Sequence, residues 1–213
     1  RLNAQKRDRH DRIIAKLTGF LSKPKETFQK YRRSNTAITA KYARAIAFYR
    51  EGNLAKAIIA LDHLITLEKE NPYFWELKGQ ILLEKNEKEL ARSAYEKAYS
   101  FSKDVIILQQ LAKVELSLNT LKSNKDALAY LEKAIRMTPD SSATWKQLAI
   151  AQGRNGKIAL AKLSLAEEAL LRKDFARALK NALFVKKNLI QNLFAHQRAL
   201  DIINYVEQVL DRK

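Results

Sequence analysis

The stretch Asn71-Pro-Tyr-Phe-Trp-Glu-Leu-Lys-Gly-Gln80 decides how the rest of the chain is read. It stands between two helical patterns and carries a start signal. Pro72 suits the first turn of a helix, where its missing N–H has no partner to lose. Trp75 and Gly79 lie four residues apart, on one helical face. Glycine inside a helix costs about 1 kcal/mol relative to alanine, so Gly79 needs a compensating reason. A neighbouring helix that presses close and leaves no room for a Cβ supplies one. The stretch therefore reads as one member of a tightly packed helix pair.

The unit recurs. Ala57 is followed by Leu61 and Leu64, Ala91 by Tyr95 and Ala98, Ala127 by Leu131 and Ala134, and Ala161 by Leu165 and Ala169. The four alanines are 34, 36 and 34 residues apart. First helices match as well: Trp75…Gly79 has its counterpart in Trp145-x-x-Leu148-Ala149. A period near 34 with Trp-x-x-Leu-Gly, Ala-x-x-x-Phe and a late Pro resembles the tetratricopeptide pattern. The match is degenerate. Leu77 falls one place early, Leu82 stands where Tyr is usual, and Pro139 alone keeps the late proline. The resulting expectation is an all-α, right-handed α-solenoid of antiparallel helix pairs. Residues 1–35 form an N-terminal linker helix region, 36–190 the repeats, and 191–213 a C-terminal capping helix.

Composition agrees with long helices. Only 5 Gly and 3 Pro occur in 213 residues, too few breakers for a turn-rich β protein. There is no Cys, which excludes disulfides and thiolate metal sites. No apolar run is long enough to span a bilayer. The first residue is Arg and no apolar leader follows, so the sequence is expected to be a piece of something longer. Net charge is +17, concentrated at the two ends: +8 over residues 1–35, +2 over 36–142 and +7 over 143–213.

Taken in order, Leu2–Leu21 reads as a helix with a nearly all-polar first half. It carries one apolar stripe of Ile13, Ile14, Leu17, Phe20 and Leu21, and such a helix is expected to pack against a segment upstream of this sequence or to project. A short helix follows from Pro24, and Ser34-Asn35-Thr36 offers caps for the next. Helix hairpins turn at Gly52-Asn53, Asn86, Asn119–Asn124 and Gly156, the third turn holding two extra residues. Ala178 follows Ala161 by 17 residues, half a repeat, so Ile158–Arg172 closes one pair and opens the next. In the last helix Leu200, Ile203, Val206 and Leu210 are expected to cover the end of the array.

In such arrays the first helix of each pair lines a concave groove. The register assigns to it Tyr42, Ile46, Tyr49 and Arg50, then Tyr73, Glu76, Gln80 and Glu84, then Gln109, Lys113 and Leu116, then Lys146, Ile150 and Arg154. Tyr and Arg anchor interfaces well. Lys113, Lys146 and Arg154 could clamp a peptide carboxylate. The implied partner is a protein segment or peptide. Among these residues Tyr73 also belongs with Phe74 and Trp75 as a lock between repeats.

Three segments carry a further resemblance: Tyr42-Ala-Arg-Ala-Ile-Ala-Phe-Tyr-Arg50, Asn71–Gln80, and Leu165-Ala-Glu-Glu-Ala-Leu-Leu-Arg172 with Asp174-Phe175. They resemble the C-terminal repeat region of bacterial periplasmic HExxH zinc metallopeptidases of the β-barrel assembly-enhancing type. His10-Asp11, Lys16-Leu17 and Phe20-Leu21 are similar to the segment joining catalytic domain to repeats, and Gln197-Arg198-Ala199-x-Asp201-Ile202 to the terminus. The resemblance implies a periplasmic location, zinc held only in a catalytic domain outside this sequence, and unfolded or outer-membrane protein substrates as partners alongside that domain. This chain has no HExxH, and His10, His63 and His196 stand far apart, so no catalysis and no metal are expected here. The alternative is a basic scaffold that meets nucleic acid or an anionic membrane surface through its ends. Base stacking needs interleaved aromatics, and residues 1–35 offer only Phe20, Phe28 and Tyr31.

Overall fold

The computed structural model describes residues 2–211, with side chains described from His10 onward. The polar first half of the N-terminal helix therefore falls largely outside the described side chains. Among the described residues there are twelve helices and no strand. They are α1 (Leu2–Leu21), α2 (Pro24–Lys30), α3 (Ile38–Arg50), α4 (Leu54–Leu67), α5 (Pro72–Glu84), α6 (Lys88–Ser102), α7 (Val105–Leu118), α8 (Leu121–Met137), α9 (Ser142–Arg154), α10 (Ile158–Leu171), α11 (Phe175–Asn188) and α12 (Leu193–Leu210). The chain divides into two compact units at Lys103/Asp104, inside the stretch read above as one run of repeats. Unit 1 holds α1–α6 and unit 2 holds α7–α12.

Short polar side chains start most of these helices. Asn71 accepts from the Tyr73 N–H at 3.1 Å, with Pro72 in the first turn. Asn53, Asp104, Ser141, Asp174 and Asn192 cap α4, α7, α9, α11 and α12 in the same manner. Helix α3 departs from expectation. Its cap position is Ala37, and Asn35 instead takes the Ala37 N–H at 3.1 Å. The hairpin turns need a left-handed residue, and Gly52 (φ 81°) and Gly156 (φ 74°) supply it without a Cβ penalty.

Within each unit the repeated alanines sit where helices meet. Ala57, Ala91 and Ala127 have no exposure, and Ala161 is buried. Gly79 has the reason its position demands. A Cβ there would lie 2.9 Å from Cδ2 of Tyr95, a ring buried between α5 and α6. The two tryptophans repeat one device. Trp75 Nε1 donates to the Lys69 carbonyl and Trp145 Nε1 to that of Pro139, both at 2.8 Å and both six residues back. Each indole ties its helix to the loop that enters it.

Two further expectations are corrected. The extra residues between α7 and α8 lengthen helix α8 to 17 residues rather than the turn, because Thr120 and Ser123 form a capping box that starts the helix early. Of the residues expected to cover the end, Ile203 and Val206 are buried, together with Ala195, Ala199 and Ile202, while Leu210 is 47% exposed. Leu193, Phe194 and Tyr205 of α12 are exposed.

Candidate functional site: the first-helix faces

In unit 1 the first helices are α3 and α5, and the residues assigned to their free face do lie together. Tyr49 bridges the two helices. Its hydroxyl donates to Glu84 Oε1 at 2.5 Å and accepts from Gln80 Nε2 at 2.8 Å. Burial, and then the Glu84 carboxylate, push that phenol up to about 12. Tyr42 is buried against Phe74, ring centroids 5.0 Å apart, and donates to the Tyr73 carbonyl. Burial foremost, with Glu76 second, raises its phenol far above the ordinary value. Aromatic rings, amides and carboxylates thus alternate across the face.

This face is not open. Helix α1 lies on it. Gly19 meets Ile46 so closely that a Cβ would stand 2.8 Å from Ile46 Cβ. Phe20 packs edge-on to Tyr49 at 6.4 Å, and Arg50 donates to the Phe20 carbonyl. Lys16 reaches Glu76 at 3.3 Å and sits 5.0 Å over the Tyr73 ring. Arg12 grips Glu68 with two bonds of 2.5 and 2.7 Å. That bidentate pairing, more than any other influence, holds the Glu68 carboxyl below its ordinary value.

Three expectations change accordingly. Ile46 is buried under Gly19 of α1, and Tyr42 is buried against Phe74 of α5, rather than lining an open groove. Arg50 is spent on the Phe20 carbonyl. The docking stripe of α1 is Arg12, Ala15, Lys16, Gly19 and Phe20; of the expected apolar stripe, Phe20 packs on Tyr49. Ile13, Leu17 and Leu21 are 51%, 50% and 78% exposed. Against Ile46 itself only a small residue fits, and Ile13 and Leu17, each about half exposed, line the seam without filling it. An apolar cavity of about 240 Å³ remains in that seam, lined by Ile13, Leu17, Phe20, Ile38, Tyr42 and Phe74 among others.

Unit 2 treats its first helices, α7 and α9, differently. Gln109 donates to Thr144 Oγ1 at 2.7 Å and joins the two helices, as Tyr49 joins its own pair. Leu116 is buried. Arg154 donates to the Leu116 carbonyl and lies 3.5 Å from Asn124 Oδ1, so it braces the end of α7 instead of standing ready as a clamp. Lys113, Lys146 and Ile150 remain exposed.

Strong ion pairs of unit 2 lie in α10–α12. Arg198 holds the buried Glu167 carboxylate at 2.6 and 2.9 Å, which raises the guanidinium further. Arg177 holds the buried Glu168 at 2.5 Å. Among the described residues no three His, Cys, Asp or Glu side chains gather to hold a metal, and no helix is long and apolar enough to cross a membrane. His63 receives the Lys41 ammonium at 3.2 Å.

Sequence reasoning missed Gly19, Glu68 and the docking of α1. The signal was present. Gly19 is as costly inside a helix as Gly79, and Arg12, Lys16 and Gly19 share its face.

The antiparallel helix pairs of each unit have the all-α fold of tetratricopeptide-type helical repeats. Residues 72–104, from α5 through α6, match the family model described as a tetratricopeptide repeat. Two solved repeat structures superpose on the chain. MamA (residues 41 to the end) from Desulfovibrio magneticus RS-1 does so with a TM-score of 0.65 at 16% identity, covering 78% of this chain and 95% of that one. YrrB, described as a tetratricopeptide protein with an unusual peptide-binding site, does so with a TM-score of 0.61 at 18% identity, covering 87% and 98%. In sequence, the chain is 26% identical over 172 residues to anaphase-promoting complex subunit 7 of Dictyostelium discoideum, spanning 75% of this chain and 27% of that protein. The chain thus spans about a quarter of that curated relative's length.

Proposed function

We propose that the chain is a non-catalytic protein-interaction module that holds a segment of another protein on its first-helix faces. The observation that carries this reading is the exposure of Lys113, Lys146 and Ile150 on α7 and α9. They sit on the face that repeat packing leaves uncovered, and packing makes no use of them. Two cations and an apolar side chain exposed on these helices suit a peptide ending in a carboxylate. The peptide-binding site in the description of YrrB, and the subunit role named for the Dictyostelium relative, support the same class of function.

The test compares peptides bearing free and amidated C-termini by fluorescence anisotropy. Lys113→Glu with Lys146→Glu is expected to remove the preference for the free carboxylate and to leave the melting temperature unchanged. Equal binding by wild type and variant overturns the assignment.

The resemblance to periplasmic zinc metallopeptidases supports a finer proposal. The module would sit beside a zinc-holding catalytic domain in the periplasm and bring it unfolded or outer-membrane substrates. The residues encoded upstream of Arg1 test it: an HExxH helix keeps that parentage, and its absence removes it. The reading of the basic ends as a nucleic-acid or membrane surface loses ground at the N-terminal end. There Arg12 and Lys16 are bound by Glu68 and Glu76. Arg44 of α3 donates to the Tyr31, Arg32 and Asn35 carbonyls that close that region.

A further inference from the structure

We infer that the first-helix face of unit 1 is a receptor for a basic amphipathic helix of a partner protein, and that α1 is the resident stand-in which such a helix displaces. The inference rests on the reading of first-helix faces as binding faces, but concerns a different unit and a different ligand chemistry from the lysine face of α7 and α9.

Four observations carry it. In a chain of net charge +17 the face offers α1 carboxylates and rings: Glu76 of α5, with Glu68 at the end of α4, meets its basic residues, and Tyr42, Tyr49 and Tyr73 lie on α3 and α5. Its present occupant answers that chemistry residue by residue, with Arg12 on Glu68, Lys16 on Glu76 and over Tyr73, and a glycine where Ile46 permits nothing larger. Those positions define the ligand as a helix with basic residues four apart and a small residue three beyond the second.

The occupant is also poorly suited to stay. It docks through Gly19, its two basic residues and Phe20, leaves Ile13, Leu17 and Leu21 at least half exposed, and lines with Ile13, Leu17 and Phe20 a cavity of about 240 Å³ against Tyr42 and Phe74 that it does not fill. A helix that placed an apolar side chain in that cavity would keep both ion pairs and gain contact area. Finally, α1 joins the rest of unit 1 through Ser22 and Lys23, outside both flanking helices, so it can leave without unwinding α3 or α5.

The probe is a fluorescein-labelled synthetic peptide of residues 2–21 of this chain, added to the full chain. Wild type is expected to bind it weakly, because its own α1 competes. Gly19→Ala forces α1 off Ile46 and is expected to bind the wild-type peptide at least tenfold more tightly. Arg12→Glu with Lys16→Glu alters only half-buried positions of α1, and is expected to do the same if Gly19→Ala fails to fold. Adding Glu68→Lys and Glu76→Lys to either variant is expected to abolish the gain.

Circular dichroism and melting establish that each variant is folded. Hydrogen exchange along α1 establishes its release. A folded variant with released α1 that binds no peptide overturns the inference. So does one that binds none because its mass has doubled, which assigns the face to a second copy of the chain. Loss of the carboxylate preference in the Lys113/Lys146 experiment reports on unit 2 alone, so the two readings fail separately.

Discussion

Ile46 of unit 1 has no solvent exposure, while Ile150 of unit 2, at the corresponding place three repeats on, is 42% exposed. Both are isoleucines on the outward face of a first helix. One is covered by α1 through Gly19, and the other is not covered within its unit. The same contrast separates the tyrosine bridge of unit 1, capped by Phe20, from the Gln109–Thr144 bridge of unit 2. Repeat register fixes which side chains point at the face. Whether the face is core or surface depends on a segment outside the repeats. One pattern therefore yields a filled site and an open one.

The comparison can be broken by truncating both isoleucines. Ile46→Ala is expected to cost about 2–4 kcal/mol, since it opens a cavity under α1. Ile150→Ala is expected to stay within about 0.5 kcal/mol of wild type. Urea unfolding measures both. Equal costs would mean that α1 does not cover Ile46 in solution.

Glycines sharpen the contrast at the next level of effect. Gly79→Ala drives a Cβ into the Tyr95 ring and is expected to cost about 1–3 kcal/mol. Gly153, in α9, faces open space, so Gly153→Ala is expected to stabilise by about 0.5–1 kcal/mol through helix propensity alone. The tryptophans mark where the units agree. Trp75→Phe and Trp145→Phe each lose one indole-to-carbonyl bond and are expected to cost about 1 kcal/mol apiece. Thermal melts of the two variants should be alike.

The repeats were legible because they are local. Ala57, Ala91, Ala127 and Ala161 announce a helix contact by size and period alone, and Gly52 and Gly156 announce turns by φ. Which face of α1 would dock was not legible from hydrophobicity. The stripe of Ile13, Leu17 and Leu21 is the more apolar, yet Ile46 of α3 admits only a glycine at position 19, and the face that turns to α3 is set by that contact. That is a question of shape between segments far apart in sequence, and no pattern within one segment answers it. Arg154 teaches the same lesson. Its position predicts a groove, but the unsatisfied carbonyl at the end of α7 claims it first.

The smallest expected effect concerns acid. Arg12 holds the Glu68 carboxyl below its ordinary value of 4.5, so the pairing is fully present above that value and lost as pH falls through the depressed one. Both partners are partly solvated, so the pair contributes little to global stability. The sensitive readout is α1 itself. Its amides from Asp11 to Phe20 should lose exchange protection as pH falls below the ordinary carboxylate range, after correction for intrinsic exchange rates, while those of α7 and α9 hold theirs. Glu68→Gln should show the reduced protection at neutral pH and no further loss on acidification through Glu68. If α1 protection in that variant matches wild type at every pH, then Gly19, Phe20 and the Lys16–Glu76 contact dock the helix, and the Arg12–Glu68 pair only decorates it.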